Sequence, residues 1–499
     1  MHIFSTLFTA QSVDEELRDP QGLKRAIEWC RASGLQKVYV ESFRGNVFVE
    51  QELLEAVRDR FLEEGFCVHG CVTTTKMKKL SNGWNEIACY SHEPNHELME
   101  SIFRRTAAVF DTIMIDDFLF TDCTCAECEK ARGKRSFDDY HSDVMVQMCQ
   151  ERILRPAREA NPRCKIIIKY PQWYEDFQKR GYDVIRQTKN FDFIWTGTET
   201  RDPDNERWGR QPQTQAFYMM AWAAKLDEAK CGGGWYDPYG TSPATYLEQA
   251  RQTILGGARE SVLFCYGSLK AGDEGTKNTD AIRGEMAGLH QLAYLVENKK
   301  TVGVSVPKAP GRDTENEKYL SSFYAMLGIP VSPDICLDPE AKAAMLGSQA
   351  AGFPDAQLYA ADMLKQNRPV CFSEGFLEHF AMDLPDGALA IRPGSDNWSI
   401  TKMPQESLDE LRNALIKPLG ISFFAPAKVA LNLYDDDLEI IENFNDFAVE
   451  ATLGLEGRAP KSRKIALVLS KQKQSEVSLA QNKSTYAIKI PPRTLLALG

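Results

Sequence analysis

Over roughly the first 300 residues, apolar runs of strand length alternate eight times with amphipathic stretches of helix length, and this alternation constrains the fold more than any other feature. The strand-like runs are His2–Thr9, Lys37–Phe43, Cys67–Thr73, Thr112–Ile115, Cys164–Tyr170, Phe191–Thr196, Lys230–Tyr236 and Ser261–Tyr266. Helical spacing of apolar residues follows at Pro20–Ser33, Gln51–Glu64, Glu97–Val109 and Ser136–Ala160, and again at Pro243–Ala258. Eight such β/α units in a segment of this length predict a (β/α)8 TIM barrel. The seventh strand is the least distinct, because Gly232, Gly233 and Gly234 interrupt its pattern.

Near Val296–Lys300 the pattern changes. Strands at Val302–Val306 and Pro369–Phe372, with helices at Glu315–Leu327 and Ala356–Lys365, predict a smaller α/β layer. Beyond it, Lys428–Leu433, Phe447–Leu453, Ser462–Leu469 and Thr485–Ile490 read as a terminal antiparallel β module. The expected domains are residues 1–300, 301–425 and 426–499. At 43% hydrophobic and 26% charged residues the chain has ordinary globular composition. A net charge of −11 argues against nucleic acid as a partner, because that binding leans on Lys/Arg patches. No apolar run is long enough to span a membrane, and the first residues lack a basic leader, so a cytoplasmic location is expected.

Two kinds of chemistry sit together after the fourth strand. The strand ends in Asp116-Asp117, where barrel strands present catalytic groups. Successive strand residues point to opposite sides, so one of the two is expected to face a cleft. Glu199 after the sixth strand offers a second carboxylate and Asp237 after the seventh a third. Each of these can also be a solvated loop acid or a helix cap. Glycoside hydrolysis needs two such carboxyls flanking the bond. Aromatic residues follow the same strand ends: Phe118, Tyr170, Trp173, Trp195, Trp235 and Tyr266 form a candidate sugar-binding set. Arg201 and Arg210, near Glu199, could bind an acidic sugar or pair with Asp202 and Asp204, and the pairing is the expectation.

A few residues on stands Cys123-Thr124-Cys125-Ala126-Glu127-Cys128. Three thiols at this spacing can converge on one ion, and zinc prefers four N/S ligands in closed structural sites. Cys89, in the excursion after the third strand, is the best fourth ligand, with His92 and Cys149 behind it. The other thiols of the thirteen are expected to be unpaired.

The order of these parts resembles the family-42 beta-galactosidases of the glycoside hydrolases. That resemblance implies a TIM barrel whose zinc is held by an upstream cysteine and a Cys-x-Cys-x-x-Cys string, here Cys89 with Cys123, Cys125 and Cys128. It implies a middle α/β domain like the class I glutamine amidotransferases, used for trimerisation, and a small C-terminal β domain. The catalytic motif departs from the family. The family places Asn-Glu at the end of strand four, where this chain reads Ile115-Asp116-Asp117-Phe118, with Phe118 where Glu would stand, and the acid nearest the seventh strand is Asp237 rather than Glu. An acid after strand four paired with one after strand six looks more like the retaining alpha-glycosidases.

The function expected is therefore glycoside hydrolysis of a carbohydrate substrate. Asp116 or Asp117 would act as nucleophile or base and Glu199 as general acid, with Asp237 in reserve, a structural zinc and no organic cofactor. The alternative is a degenerate barrel that binds carbohydrate without cleaving it. A metal-dependent hydrolase is disfavoured, since only seven histidines occur and none forms a His-x-His string.

Overall fold

The computed structural model describes residues 2–208, 210–314, 316–456, 463–470 and 477–499, leaving aside the side chain of Trp208. Eight parallel strands close into a barrel: β1 (Ile3–Phe8), β2 (Lys37–Arg44), β3 (Cys67–Val72), β4 (Thr112–Ile115), β5 (Lys165–Tyr170), β6 (Phe193–Gly197), β7 (Cys231–Tyr236) and β8 (Glu260–Leu263). Closure is made where β1 pairs with β2 at Ser5 and Lys37 and with β8 at Ile3 and Glu260. A two-residue strand, Val47–Phe48, adds an antiparallel edge to β2. The expected barrel is present.

Side chains on alternate strand positions fill the interior: Leu7, Tyr39, Cys71, Met114, Ile167, Trp195, Trp235 and Val262 pack as one cluster. The indole of Trp195 explains the indistinct seventh strand. A Cβ on Gly232 would run into that ring, and one on Gly233 would lie 2.6 Å from its Nε1. The glycines that blur the pattern of β7 are those that give Trp195 its room.

Several boundaries moved. The helix expected at Glu97 begins at Glu93, with Pro94 in its first turn where no N–H is needed. The run after Ser136 is helical to Ala160 but widens to a π-helix at Cys149–Leu154. Pro156, just beyond, cannot donate to the preceding turn. A short helix, Ala126–Arg132, capped by Cys125 and carrying Cys128, adds to the elements expected. The eighth strand stops at Leu263, and Tyr266 opens a short helix instead.

The chain divides into two compact units. One comprises residues 1–209, 226–253 and 258–286, and the other residues 210–225, 254–257 and 287–499. Within the second, a five-stranded parallel sheet has the order Val331–Asp334, Val304–Pro307, Ala344–Leu346, Val370–Ser373, Leu389–Ile391. This is the doubly wound order 2-1-3-4-5, packed over Ala344, Leu346, Val370, Phe372 and Phe376. The single strand expected at Val302–Val306 is broken at Gly303, whose Cβ would strike the carbonyl of Pro330. Thr301–Val302 pairs antiparallel with Val429–Tyr434 instead. The helix expected from Glu315 runs as Leu320–Leu327, and Glu315 itself lies outside the described residues. Two antiparallel sheets complete this unit, and they add Ser422–Phe424, Leu438–Asn443, Ser478–Asn482 and Thr494–Leu498 to the strands foreseen. Ser462, the first residue of one foreseen strand, is also outside the described residues, where that strand is Ile465–Leu469.

Candidate active site and cysteine cluster

The site is built at the carboxyl ends of β2 to β7, around one amine. Lys169, next to last in β5, turns inward and is 2% exposed. Its Nζ lies 2.7 Å from Glu199 Oε1, 3.0 Å from Asp117 Oδ2 and 3.6 Å from Asp116 Oδ1. The same ammonium sits 4.1 Å from the ring centre of Trp235, which stacks on Phe264 at 5.1 Å. Burial opposes the charge on Lys169, but three carboxylates outweigh it and its pKa is raised.

Asp116 and Asp117 have different surroundings. Asp116 is held by Arg44, whose Nη2 is 2.6 Å from Oδ2, and by the hydroxyl of Thr73 at 3.2 Å. Arg44 also donates to buried Glu41 at 2.8 Å, and Glu41 accepts the backbone N–H of Ala10. Burial pushes the Asp116 carboxyl up, yet Lys169 and Arg44 together hold it below the usual range. Among the described residues Asp117 is hydrogen-bonded by no arginine, Arg201 acting on it only at longer range, and its side chain is 19% exposed. Burial, helped by the nearby charges of Asp116 and Glu199, raises it to about 7 against the pull of Lys169. Asp117 is thus the member of the pair turned to the mouth.

Glu199 gives one oxygen to Lys169, and its other oxygen, Oε2, is buried with no hydrogen-bond partner among the described residues. Asp237 is taken by Arg201 in a bidentate pair, Nε to Oδ1 at 3.0 Å and Nη2 to Oδ2 at 2.7 Å. That corrects the expectation that Arg201 pairs with Asp202 or Asp204. Burial raises the Asp237 carboxyl while Arg201 pulls the other way.

The aromatic set divides. Trp235 lies under Lys169, Phe118 packs on Trp84 at 5.7 Å, and Trp173 packs on Phe120 at 5.0 Å. The other three are packing residues. Tyr170 is fully buried and bonds Thr188 at 2.9 Å, Trp195 fills the barrel interior, and Tyr266 packs on Phe8 and Trp29. Each points into a core rather than toward the carboxylates.

Lys169, Arg44 and Glu41 were not singled out by reading the sequence. The available signal was a lone Lys169 near the end of an otherwise apolar strand, Ile166-Ile167-Ile168-Lys169-Tyr170. A lysine buried there needs carboxylate partners.

The four cysteines converge. The Sγ atoms of Cys89, Cys123, Cys125 and Cys128 all lie within 4.8 Å of one another. Three separations are 3.6, 3.7 and 3.8 Å. Disulfide sulfurs would be about 2.05 Å apart. Four sulfurs at a Zn–S distance of about 2.3 Å form a tetrahedron with edges of about 3.8 Å, so the set has the size of a zinc cage. The Ser91 hydroxyl donates to Cys128 Sγ at 3.0 Å, and the His141 ring bonds the Cys123 carbonyl at 3.1 Å. Of the other ligand candidates, His92 pairs with Glu127 and Cys149 is bonded by Gln187 away from the cluster. None of the thirteen cysteines is in a disulfide.

The family model described as "Probable glycosyl hydrolase, catalytic domain" matches residues 1–301, which is the barrel segment. The chain belongs to this family. An uncharacterised protein of Saccharolobus solfataricus is 24% identical over 378 residues, 68% of this chain and 60% of that protein. The chain therefore spans about 60% of the length of the curated relative it matches. Among solved structures, the GH42 beta-galactosidase Gan42B is similar over 99% of this chain and 98% of its own, with TM-score 0.64 and 10% identity. A catalytic mutant of the same enzyme from G. stearothermophilus gives the same figures. At that identity the likeness is one of fold, and it extends through the barrel, the middle sheet and the antiparallel sheets. No helix among the described residues is long and apolar enough to cross a membrane.

Proposed function

We propose that this chain cleaves a glycosidic bond with Asp117 as proton donor and Glu199 as nucleophile. The observation that carries the reading is that Lys169 gathers these two carboxyls while Arg44 and Arg201 neutralise Asp116 and Asp237. Oxygens 3.0 and 2.7 Å from one nitrogen lie within about 6 Å of each other. That suits the spacing of about 5–5.5 Å used by retaining enzymes rather than the wider gap that holds a water in inverting ones.

The roles are reversed from those expected from sequence, and environment is the reason. A proton donor must hold its proton near neutral pH, and Asp117 is the carboxyl raised to about 7. Glu199 keeps one oxygen on Lys169, which leaves the partnerless Oε2 as the attacking atom. In the first step the Asp117 proton passes to the glycosidic oxygen as the C1–O bond breaks, and the Glu199 oxygen bonds to C1. In the second, the Asp117 carboxylate takes a proton from water, which attacks C1 and releases Glu199. Lys169 stays charged throughout and stabilises the carboxylate that Asp117 becomes.

Activity on a panel of aryl glycosides tests this. Glu199→Gln should abolish turnover, and Asp117→Asn should lower kcat by about 10²–10⁴. Wild-type activity should decline as pH rises through about 7, where Asp117 loses its proton, and Asp117→Asn should lack that limb. Full activity in both variants would refute the assignment. Sugar binding without cleavage in the wild type would favour the competing reading, a barrel that only binds carbohydrate.

The cysteine cage is proposed to hold one structural zinc, which would fix the loop after β4 against the excursion after β3. Four thiolates leave no open position, so the ion takes no part in the cleavage. The purified protein should contain one zinc per chain and Cys123→Ser should lose it; unchanged metal in the variant would sink the proposal.

A further inference from the structure

Glu41 is a buried acid that the mechanism above leaves without a role. It stands in β2 and is 0% exposed. Its Oε2 accepts the backbone N–H of Ala10 and Nε of Arg44, each at 2.8 Å, and its Oε1 lies 2.5 Å from the Thr73 hydroxyl. Two of these partners reach Asp116 as well. Arg44 gives Nη2 to Asp116 Oδ2, and the Thr73 hydroxyl oxygen is 3.2 Å from that same atom. Glu41 and Asp116 are thus two neighbouring carboxyls that share one guanidinium and one hydroxyl.

A hydroxyl has one proton to give. If both carboxyls were ionised, Thr73 would face two acceptors and satisfy one, leaving the other oxygen short of a donor in a buried site. A proton on Glu41 Oε1 removes the conflict. Glu41 then donates to Thr73, Thr73 donates to Asp116, and Oε2 keeps its bonds from Ala10 and Arg44. Charge leads to the same place. Arg201 is matched by Asp237, and beside that pair four carboxyls, Glu41, Asp116, Asp117 and Glu199, meet two cations, Arg44 and Lys169. Asp117 holds one proton, and a second brings the cluster to neutrality, which burial favours. Asp116 and Glu199 each contact Lys169, whereas Glu41 among the described residues has a share of Arg44 and no other cation.

The surroundings separate the two acids in the same sense. Burial raises the Glu41 carboxyl against the pull of Arg44, Thr73 and Ala10. Burial acts on Asp116 too, yet Lys169 and Arg44 hold it below the usual range. Adjacent carboxyls driven apart in this way divide into one that keeps its proton and one that does not. The other titratable groups acting on the pair, Cys71, Tyr182 and Cys265, are all pushed up by burial and stay neutral. We propose that Glu41 is a positioning residue that carries a proton, donates it as a hydrogen bond to Thr73, and so leaves the charge of Arg44 to Asp116. Asp116, whose Oδ1 also accepts the Asp117 N–H at 2.8 Å, then remains an anion beside the proton donor and helps it keep its proton.

The effect on Asp117 rests on the reading of Asp117 as proton donor, but the proton on Glu41 does not, and the test reads the two apart. Full-length Asp117→Asn protein, which replaces one neutral group by another and clears the catalytic acid from the spectrum, is the parent for infrared spectra near neutral pH. Adding Glu41→Gln should remove one protonated-carboxyl band. Adding Thr73→Val instead should keep that band and move it to higher frequency, because the acid has lost its acceptor. The unfolding midpoint of the Glu41→Gln protein should stay within about 2 °C of its parent, since the amide offers the same donor and acceptor; an ionised Glu41 would leave Arg44 short of an anion and lower it by about 10 °C. In the otherwise wild-type enzyme Glu41→Gln should hold the alkaline limb at about 7, where loss of an anion would move it down. The proposal is overturned if Glu41→Gln removes no band, if Thr73→Val leaves the band unmoved, or if Glu41→Gln lowers the midpoint or the limb. An enzyme that shows the Glu41 band and no alkaline limb would keep the proton on Glu41 and refute the role of Asp117.

Discussion

Both ends of the barrel bury a lysine among carboxylates, and the two arrangements differ in one respect. At the amino end, Lys37 Nζ sits 2.8 Å from Glu260, whose oxygens also accept the hydroxyls of Ser5 at 2.6 Å and Tyr39 at 2.9 Å. One cation meets one anion, and Glu260 has a donor on each oxygen. At the carboxyl end, Lys169 is divided among three carboxyls, Asp117 is pushed to about 7, and Glu199 Oε2 has no partner. A balanced buried pair has nothing left to give, which marks a structural element. A cluster with too many acids keeps a proton loosely held and an oxygen unsatisfied, which is the condition for acid and nucleophile chemistry. The difference also follows the general division of this fold, with chemistry at the carboxyl ends of the strands and stability at the other.

Disrupting each lysine should separate the two roles. The larger effect is expected for Lys169→Met, with kcat/KM falling by about 10³ or more, equivalent to about 4 kcal/mol in the barrier. Lys169 acts through the carboxyls, so the pH profile carries the specific signature. Lys169 pulls the Asp117 carboxyl down, so its removal should move the alkaline limb above 7. A merely structural lysine would leave that limb where it was. The smaller effect on turnover is expected for Lys37→Met. It should cost about 3–5 kcal/mol of stability, because Glu260 is left buried without its cation, while kcat stays within about two-fold of wild type. Unfolding curves and turnover measured on the same preparations check both. A Lys37→Met protein that is stable but inactive would reverse the comparison.

Much of the site was legible because it sits where local sequence rules apply. Asp116-Asp117 stands directly after an apolar strand, and the three clustered cysteines lie within six residues of sequence, from Cys123 to Cys128. Cys89 could be added because loops after adjacent barrel strands emerge as neighbours, and its sulfur lies within 4.8 Å of the other three. The partners that decide each acid's role were harder to see. Arg44, Lys169 and Arg201 lie 72, 52 and 36 positions from the carboxylates they hold, distances over which a linear pattern carries no signal. The aromatic set failed in half its members for a related reason. Position after a strand does not say whether a ring points to the mouth, like Trp173, or into packing, like Tyr170.

By itself, then, the sequence determined the barrel, the clustering of four cysteines and the short list of acids, because strand periodicity, loop adjacency and residue spacing are written in local order. Only the tertiary structure decided that Asp117 and not Asp116 faces the mouth, that Asp237 is already neutralised, and that Glu199 shares a lysine with Asp117. The protonation state of a buried carboxyl depends on the charges within a few ångströms of it, and closing the barrel is what brings those charges together.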